Sequence, residues 1–338
     1  MNRKVLKSIA LAAVFSLAAG STGADAFPGA FPPSVSGNAY ANVEIADQNV
    51  FRHPSLASSS DQIVGTQLVL AMDTSGSMDT FDFELQLEAT ARALNSEMVR
   101  NAIKYRTGER SVAIAVIDFD SAARLRIAWV DIRGDEINDR PYDPDNPQRS
   151  SAAPDRLDLL ANEIMTLPRR GNGGTNITTA INLSRNLFLQ SPWGIDTRFG
   201  ERVLDVFGDG TSTGSLTAAR DNFEKIGGTI NGFAIVNEDQ DLDAYFRREL
   251  VTDSRVRSED GITSEYGRVW AITPTTPSAS DEDGRQAYIS RVVRGMTQKI
   301  SIEIAGIQDY YRIYASLQER NGSDPAVVPA VPAPNNDG

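Results

Sequence analysis

The stretch TQLVLAMDTSGSM, residues 66–78, decides the fold of this chain. Its first part is a near-continuous apolar run, which is typical of a strand covered on both faces of a parallel sheet. The run ends at Asp73, and two serines, Ser75 and Ser77, follow on either side of Gly76. Such a cluster of small oxygen-bearing side chains is either an ordinary polar turn or one part of a site. Evidence from other segments of the chain is needed to distinguish a turn from a site.

Strand-like and helix-like segments alternate through most of the chain beyond this first strand. We predict further strands at 111–120, 123–132, 202–209, 229–236 and 268–273, and helices at 83–105, 155–167, 176–190, 215–226, 241–250 and 282–300. The second and third strands are separated by so few residues that they must pair as an antiparallel hairpin. The pattern predicts an α/β fold: a doubly wound, mainly parallel central sheet with one antiparallel edge strand and helices on both faces.

The ends of the chain differ in composition from its middle. The start has basic residues, a short apolar stretch and the pattern Ala24-Asp25-Ala26, which together are typical of a cleaved secretory signal. The next segment is rich in Pro, Gly, Ser and Ala, and the far end is a Pro/Ala tail. We therefore predict a signal peptide (1–26), an N-terminal arm (27–62), a folded domain (63–305) with a polar insertion (131–154), and a C-terminal extension with its tail (306–338).

Charge and cysteine content exclude several classes of function. The 338 residues include 45 acidic and 33 basic side chains, a formal net charge of −12, so nucleic acid is not an expected partner. The chain has no cysteine, which excludes disulfides and thiol catalysis. After the start, no apolar run reaches the roughly 20 residues of a membrane helix, so no membrane span is expected. We expect an exported protein, periplasmic or extracellular, with an ordinary hydrophobic core.

Two further loops are expected to approach the serine cluster. In open parallel sheets, ligands bind beyond the carboxyl ends of the strands, where the strand order reverses. The predicted strand at 202–209 ends in an aspartate, and the loop before the predicted helix at 176–190 carries a threonine. If the first strand and the 202–209 strand are neighbours, five side chains face each other across a small cavity: Asp73, Ser75, Ser77, Thr175 and Asp209.

This predicted set contains two carboxylates and three hydroxyls. Hard oxygen ligands of this kind suit Mg²⁺ or Mn²⁺, with Ca²⁺ as a further candidate, and they do not suit zinc or copper. Because only two of the five ligands carry charge, a bound ion remains a strong electrophile. An Asp or Glu side chain of a protein partner is therefore the natural sixth ligand.

Residues 73–78, DTSGSM, resemble the Asp-x-Ser-x-Ser signature of the von Willebrand factor A (vWA) domain. In that family a metal-ion-dependent adhesion site (MIDAS) adds a threonine from a second loop and an aspartate from a third. Thr175 in GGTN and Asp209 in GDG match those two positions in chain order and loop context. The resemblance covers roughly residues 64–305 and implies a non-enzymatic module that binds a protein through the cation.

Four segments resemble a narrower group, an exported bacterial vWA subfamily of unassigned function. They are ERVLDVFGDGTSTG, TINGFAIV, DLDAYFRREL and the closing KISIEIA. The chain departs from the pattern of that subfamily at Phe207, where a serine is expected, and at TSTG, which replaces a turn with Pro and Asn. Neither change is at a proposed ligand, although both alter the rim of the site.

Three other functions compete with adhesion. Residues 210–214 satisfy the Gly-x-Ser-x-Gly pattern of serine hydrolases, but the single histidine, His53, precedes the first strand and leaves Ser212 without an evident base. An aspartyl phosphotransferase needs a second carboxylate where this chain has Ser75. A structural or assembly component of the cell envelope, whose fold a metal ion stabilises, is the remaining alternative.

Overall fold

A computed structural model describes the part of the chain that forms the central sheet and its helices. The described residues are 63–107, 111–143, 151, 153–197, 200–236, 241–272, 282–320 and 331–334. The predicted signal peptide and the predicted arm lie outside the described residues, as does His53. None of the helices among the described residues has the length and hydropathy that a bilayer crossing requires.

Seven strands form one mixed sheet. In chain order they are β1 (Ile63–Asp73), β2 (Ser111–Phe119), β3 (Ala123–Arg133), β4 (Gly194–Ile195), β5 (Glu201–Gly208), β6 (Gly228–Ile235) and β7 (Val269–Ile272). Their order across the sheet is β3-β2-β1-β5-β6-β7, and the short β4 pairs with the start of β1. Among these seven strands of the described residues, β2 and β3 pair antiparallel, and the other pairs are parallel. The predicted α/β class, a doubly wound sheet with one antiparallel edge strand, is confirmed.

Among the described residues, eight α-helices cover the two faces of the sheet, and a π-helical turn (Phe246–Leu250) continues the sixth. They are α1 (Thr80–Leu94), α2 (Glu97–Thr107), α3 (Arg156–Met165), α4 (Ile177–Leu189), α5 (Thr217–Glu224), α6 (Leu242–Tyr245), α7 (Glu282–Ala305) and α8 (Ile307–Arg320). Buried residues of α1, α2, α3, α7 and α8 belong to one hydrophobic core, and those of α4, α5 and α6 belong to the other. The sheet therefore lies between two helical layers, as expected for a doubly wound fold.

Strand β1 shows why its sequence is apolar without alternation. Successive side chains of a strand point to opposite faces. Leu68, Leu70 and Met72 pack in one core, while Val69 and Ala71 pack in the other. All five are 0–1% exposed. Full burial of a Leu or Val side chain stabilises the fold by about 1.5–3 kcal/mol, so this strand anchors the sheet from both sides.

The predicted helix at 83–105 is two helices in the structure. α1 ends at Leu94, and α2 begins at Glu97. Ser96 lies between them, and its Oγ accepts a hydrogen bond from the backbone N–H of Val99 at 3.2 Å, which is the contact of an N-terminal helix cap. This cap is the physical cause of the break between the two helices.

The C-terminal part of the fold differs from the sequence prediction. The last helix was predicted at 282–300, but α7 continues to Ala305, and a further helix that was not predicted follows as α8. Gly306 separates them with a φ of +79°, in the left-handed region that glycine enters at little cost. Tyr310 and Ile313 of α8 are buried in the core, so part of the predicted extension packs on the domain.

A buried ionic cluster fastens α7 to the sheet. The ammonium of Lys299 is fully buried and contacts the carboxylates of Asp205 on β5 and Glu303 on α7. Asn231 of β6 donates a hydrogen bond to Glu303 Oε1 at 2.7 Å, and the ring of Trp270 lies 5.2 Å from Lys299 Nζ. Burial lowers the pKa of Lys299 to about 8, against the opposing effect of Glu303. Because each charge needs its partners at this depth, the cluster fixes the position of α7.

Candidate metal centre

The strand order brings the carboxyl ends of β1 and β5 side by side. β1 ends at Asp73, and Gln86 of α1 holds the backbone of this residue from both sides: Asp73 N donates to Gln86 Oε1, and Gln86 Nε2 donates to Asp73 O, each at 3.1 Å. Ser75 N donates to Asp73 Oδ1 at 2.8 Å, and Arg169 donates to Ser75 O at 2.7 Å. These contacts fix the start of the loop that carries the two serines.

A chain of hydroxyls leads from this loop to the end of β5. Ser75 Oγ and Ser77 Oγ are 3.0 Å apart, and Ser77 Oγ donates to Asp209 Oδ1 at 2.8 Å. A Cβ atom added to Gly210 would lie 3.4 Å from Thr175 Oγ1 and 3.5 Å from Ser77 Oγ, so both hydroxyls border the same point. The three loops that the sequence analysis expected to meet therefore do so at this edge of the sheet.

The carboxylate of Asp73 is the most buried member of the set. The residue is 0% exposed, and no described residue donates a hydrogen bond to its Oδ2. A Cβ atom added to Gly208 would lie 3.0 Å from this oxygen, so the glycine leaves space beside it. A buried carboxylate oxygen without a partner costs free energy unless a cation or a proton occupies it. This oxygen is the feature of the site that fits a cation.

The pKa values of the two carboxyl groups support the same interpretation. Burial raises the pKa of Asp73 to about 7; its hydrogen bonds with Ser75 lower it, and the charge of Asp209 adds to the rise. Burial also raises the pKa of Asp209, while the hydrogen bond from Ser77 lowers it. The nearby guanidinium of Arg169 lowers both values without offsetting the burial. A divalent cation would offset the burial of these two neighbouring carboxylates.

Four of the five candidate residues are largely buried, and the fifth is exposed. Asp73, Ser75 and Asp209 are at most 2% exposed and Thr175 is 9% exposed, whereas Ser77 is an exposed residue. No described group of three or more His, Cys, Asp or Glu side chains is arranged to hold a metal ion. A cation here would therefore depend on the hydroxyl oxygens as much as on the two carboxylates.

Asp120, at the end of β2, shapes the loop that carries Thr175. Its Oδ2 accepts hydrogen bonds from the backbone N–H groups of Asn172 at 3.3 Å and Gly173 at 3.2 Å. Its backbone carbonyl accepts a third from Asn176 N at 2.9 Å. The pKa of Asp120 is lowered, because the hydrogen bonds from backbone N–H groups and the charge of Arg124 outweigh its burial. The carboxylate therefore stays ionised and holds this loop against the site.

Sequence reasoning missed Asp120. It follows β2 as Asp73 ends β1, and the two parallel strands pair Asp73 with Phe119, one residue before it. An acidic residue at the end of the neighbouring strand was the available signal. It was not used, because no pattern in the sequence connects Asp120 with a loop about fifty residues further along the chain.

Ser212 has a structural position. Its Oγ accepts a hydrogen bond at 3.0 Å from the backbone N–H of Ile177, the first residue of α4. The backbone N–H of Ser212 donates a hydrogen bond to Tyr245 Oη at 3.1 Å. The backbone N–H of the next residue, Thr213, donates to Thr175 O at 2.9 Å. The hydroxyl that a serine hydrolase would use as nucleophile thus stabilises the start of a helix and ties the Asp209 loop to the Thr175 loop.

One protein family matches this chain by sequence. The family model described as "Protein of unknown function (DUF1194)" matches residues 63–140 and 149–256, a range that includes all five residues of the candidate site. No curated protein matches the sequence significantly.

Several solved structures are similar to this chain at low TM-scores. The von Willebrand factor type A protein from Catenulispora acidiphila is 14% identical with a TM-score of 0.38, over 69% of this chain and 43% of that one. Proximal thread matrix protein 1 from the mussel byssus, with a zinc occupied MIDAS motif, is 13% identical with a TM-score of 0.38, over 72% and 49%. The vWF domain of the type V pili tip protein Mfa5 from Porphyromonas gingivalis is 16% identical with a TM-score of 0.27, over 45% and 40%. This chain spans less than half of each of these chains.

Proposed function

We propose a function from the geometry of the site. This chain belongs to the family described as "Protein of unknown function (DUF1194)", and that description names no activity. The protein is a non-enzymatic binding module that holds a protein ligand through a divalent cation. The cation is bound by Asp73, Ser75, Ser77, Thr175 and Asp209. The observation that carries the proposal is the buried Oδ2 of Asp73, to which no described residue donates a hydrogen bond, within a cluster of hydroxyls and a second carboxylate.

The chemistry of the donors selects the kind of cation. All five side chains offer oxygen, and neither a thiolate nor an imidazole belongs to the set. Oxygen ligands of this type bind Mg²⁺ or Mn²⁺ in octahedral geometry, while Ca²⁺ uses longer bonds and more ligands. We therefore propose Mg²⁺ or Mn²⁺ as the resident ion, with Ca²⁺ as the weaker candidate.

The charge of the site argues for a carboxylate on the partner. Two carboxylates only just balance a divalent cation, and the three hydroxyls add no charge, so the ion still attracts an anionic ligand. The exposed Ser77 marks the open side from which such a ligand approaches. The formal net charge of −12 repels an acidic partner over long range, so the local attraction of the cation has to overcome that repulsion. Binding through an Asp or Glu of the partner should therefore depend strictly on the ion.

Enzymatic alternatives gain no support from the site. The hydroxyl of Ser212 accepts a hydrogen bond at the start of α4, and Ser75 occupies the position where a phosphotransferase needs its second carboxylate. Export to the periplasm or the exterior is part of the proposal and rests on the sequence pattern of residues 1–26.

Capture of partners from a cell-envelope extract tests the proposed function. The immobilised chain should retain a partner with Mg²⁺ and release it with EDTA, and Asp209→Asn should not retain it at all. Ser215→Ala, an exposed serine six residues further on, is the matched control and should behave as the native chain. Replacement of one Asp or Glu in the captured protein should abolish binding. Retention that survives EDTA would contradict the proposal and favour a structural component of the envelope.

A further inference from the structure

The amino-terminal edge of the sheet, opposite the metal centre, is in contact with the C-terminal tail of the chain. Val331 packs against the hydrophobic core that includes α7 and α8. The guanidinium of Arg268, the residue before β7, donates a hydrogen bond to the carbonyl oxygen of Pro332. Pro334 lines a cavity of about 310 Å³. Three of four consecutive tail residues thus contact the folded domain.

The walls of this cavity have both apolar and polar character. The ring of Trp270 and the side chain of Ile307 offer apolar surface where β7 approaches the junction of α7 and α8. Glu303 and Asn231 also line the cavity, and both belong to the buried ionic cluster that fixes α7. The groove therefore has a rigid wall, which is what a preformed peptide site requires. We call it the tail groove.

The sequence of the tail fits such a groove. Residues 328–330 and 331–333 are both Val-Pro-Ala, and Pro334 follows. A polyproline II helix has three residues per turn, so a three-residue repeat places both valines on the same side. Proline fixes the backbone before binding, so less conformational entropy is lost on binding. Proline has no N–H to donate, so at each proline the backbone offers only its carbonyl oxygen, and Arg268 donates to that oxygen at Pro332.

We propose that the tail groove is a binding site for extended Val-Pro-Ala segments and that its occupant is the chain's own C-terminal tail. Residues 321–330 connect α8 with Val331, so the tail is tethered close to the groove and competes at a high effective concentration, on the order of millimolar for a short linker. A second Val-Pro-Ala segment gains access only when the tethered one leaves. The proposal is independent of the metal centre, which lies at the other edge of the sheet.

A labelled peptide corresponding to residues 321–338 tests this proposal on the full chain. Val331→Asp places a carboxylate against the hydrophobic core and should expel the tethered tail. The native-sequence peptide should then bind the Val331→Asp chain about tenfold more tightly than it binds the native chain, as measured by fluorescence anisotropy. Val327→Asp, the same change at a valine outside the three-residue repeat, is the matched control and should behave as the native chain.

A second substitution tests the role of the guanidinium. Adding Arg268→Gln to the Val331→Asp chain removes a charged donor to the carbonyl and should weaken peptide binding about tenfold. Equal peptide affinity for the native and Val331→Asp chains would overturn the proposal, as would the absence of binding to either. A concentration-dependent dimer of the native chain in sedimentation, lost in Val331→Asp, would place the tail in a second copy and overturn the tethered arrangement. Both variants should keep the native response to Mg²⁺, which separates this proposal from the metal site.

Discussion

Asp73 concentrates the chemistry of the site in one residue. Its backbone is bracketed by Gln86, its Oδ1 accepts from Ser75 N, and its Oδ2 has no described partner. The buried carboxylate at the end of the central strand therefore lowers the free energy of unfolding of the protein. Such a cost is common where a ligand later supplies the missing interaction.

The substitution Asp73→Asn should stabilise the metal-free chain. The pKa of Asp73 rises from an ordinary value of 3.8 to about 7 on folding, so the stability that its protonated form contributes is complete below pH 4 and is lost as the pH rises through 7. A neutral amide avoids this loss. In EDTA at pH 8, Asp73→Asn should unfold at a higher urea concentration than the native chain, by about 1–3 kcal/mol in free energy, and the difference should shrink towards pH 4.

The control for that prediction is Asp221→Asn on the exposed face of α5, which should change stability little at either pH. With Mg²⁺ the order reverses, because the ion stabilises only the native chain and should not bind the amide variant. An amide variant that is less stable than the native chain in EDTA at pH 8 would contradict the assignment of an unpartnered charge to Asp73.

Single residues also show how far the sequence alone reaches. Asp73, Ser75 and Ser77 were predictable, because they follow an apolar run and share a local pattern. Thr175 and Asp209 were predictable only by their loop contexts and by the expected strand order. Gln86, which holds Asp73, was not predictable, since a glutamine on a helix has no sequence feature that marks it as a backbone clamp.

At the scale of elements, the site depends on how the loop between α3 and α4 is held. Asp120 receives two backbone N–H groups from this loop, and Gly173 packs so closely that a Cβ atom there would lie 2.3 Å from Ser121 Oγ. The loop also reaches the serine loop through Gly76 N, which donates to Gly173 O at 2.8 Å. The position of Thr175 is thus set by the end of β2.

The substitution Asp120→Ala should loosen this loop without removing a proposed ligand. We expect Mg²⁺ affinity, measured by calorimetry, to fall about tenfold, as for other residues that orient metal ligands. Asp135→Ala, at the opposite end of β3 and exposed, is the control and should leave affinity unchanged. If Asp120→Ala lowers stability but keeps native Mg²⁺ affinity, the residue has a structural role only.

The elements themselves were predicted with uneven success, for a physical reason in each case. β1 and the hairpin of β2 and β3 were predicted because their sequences are long apolar runs, which are typical of buried strands. Helix α8 was missed although Ile307, Tyr310, Ile313 and Leu317 recur at helical spacing, because the prolines beyond it favoured an extended segment. The apolar stripe of α8 was the neglected evidence.

For the whole molecule, the strand order separates two binding edges. The carboxyl ends of β1 and β5 form the candidate metal centre, while the amino ends of β5 and β6 contribute to the tail groove. The fold class could be predicted from the alternation of segments, because that alternation leaves few arrangements of a parallel sheet. The contact of the tail with the domain could not be predicted from the sequence, because it joins residues more than sixty positions apart and no local pattern marks it.

The central claim is that five side chains from three loops hold one divalent cation. Titration of the metal-free full-length chain with Mg²⁺ by calorimetry tests it most directly. The variant is Thr175→Val, which keeps the shape of the side chain and removes its hydroxyl. Thr263→Val, in the loop before β7, is the matched control. The account predicts one ion per native chain, the same affinity for Thr263→Val, and at least about tenfold weaker binding for Thr175→Val, a change of about 1.4 kcal/mol. Native affinity in Thr175→Val, or no binding by the native chain, would contradict it.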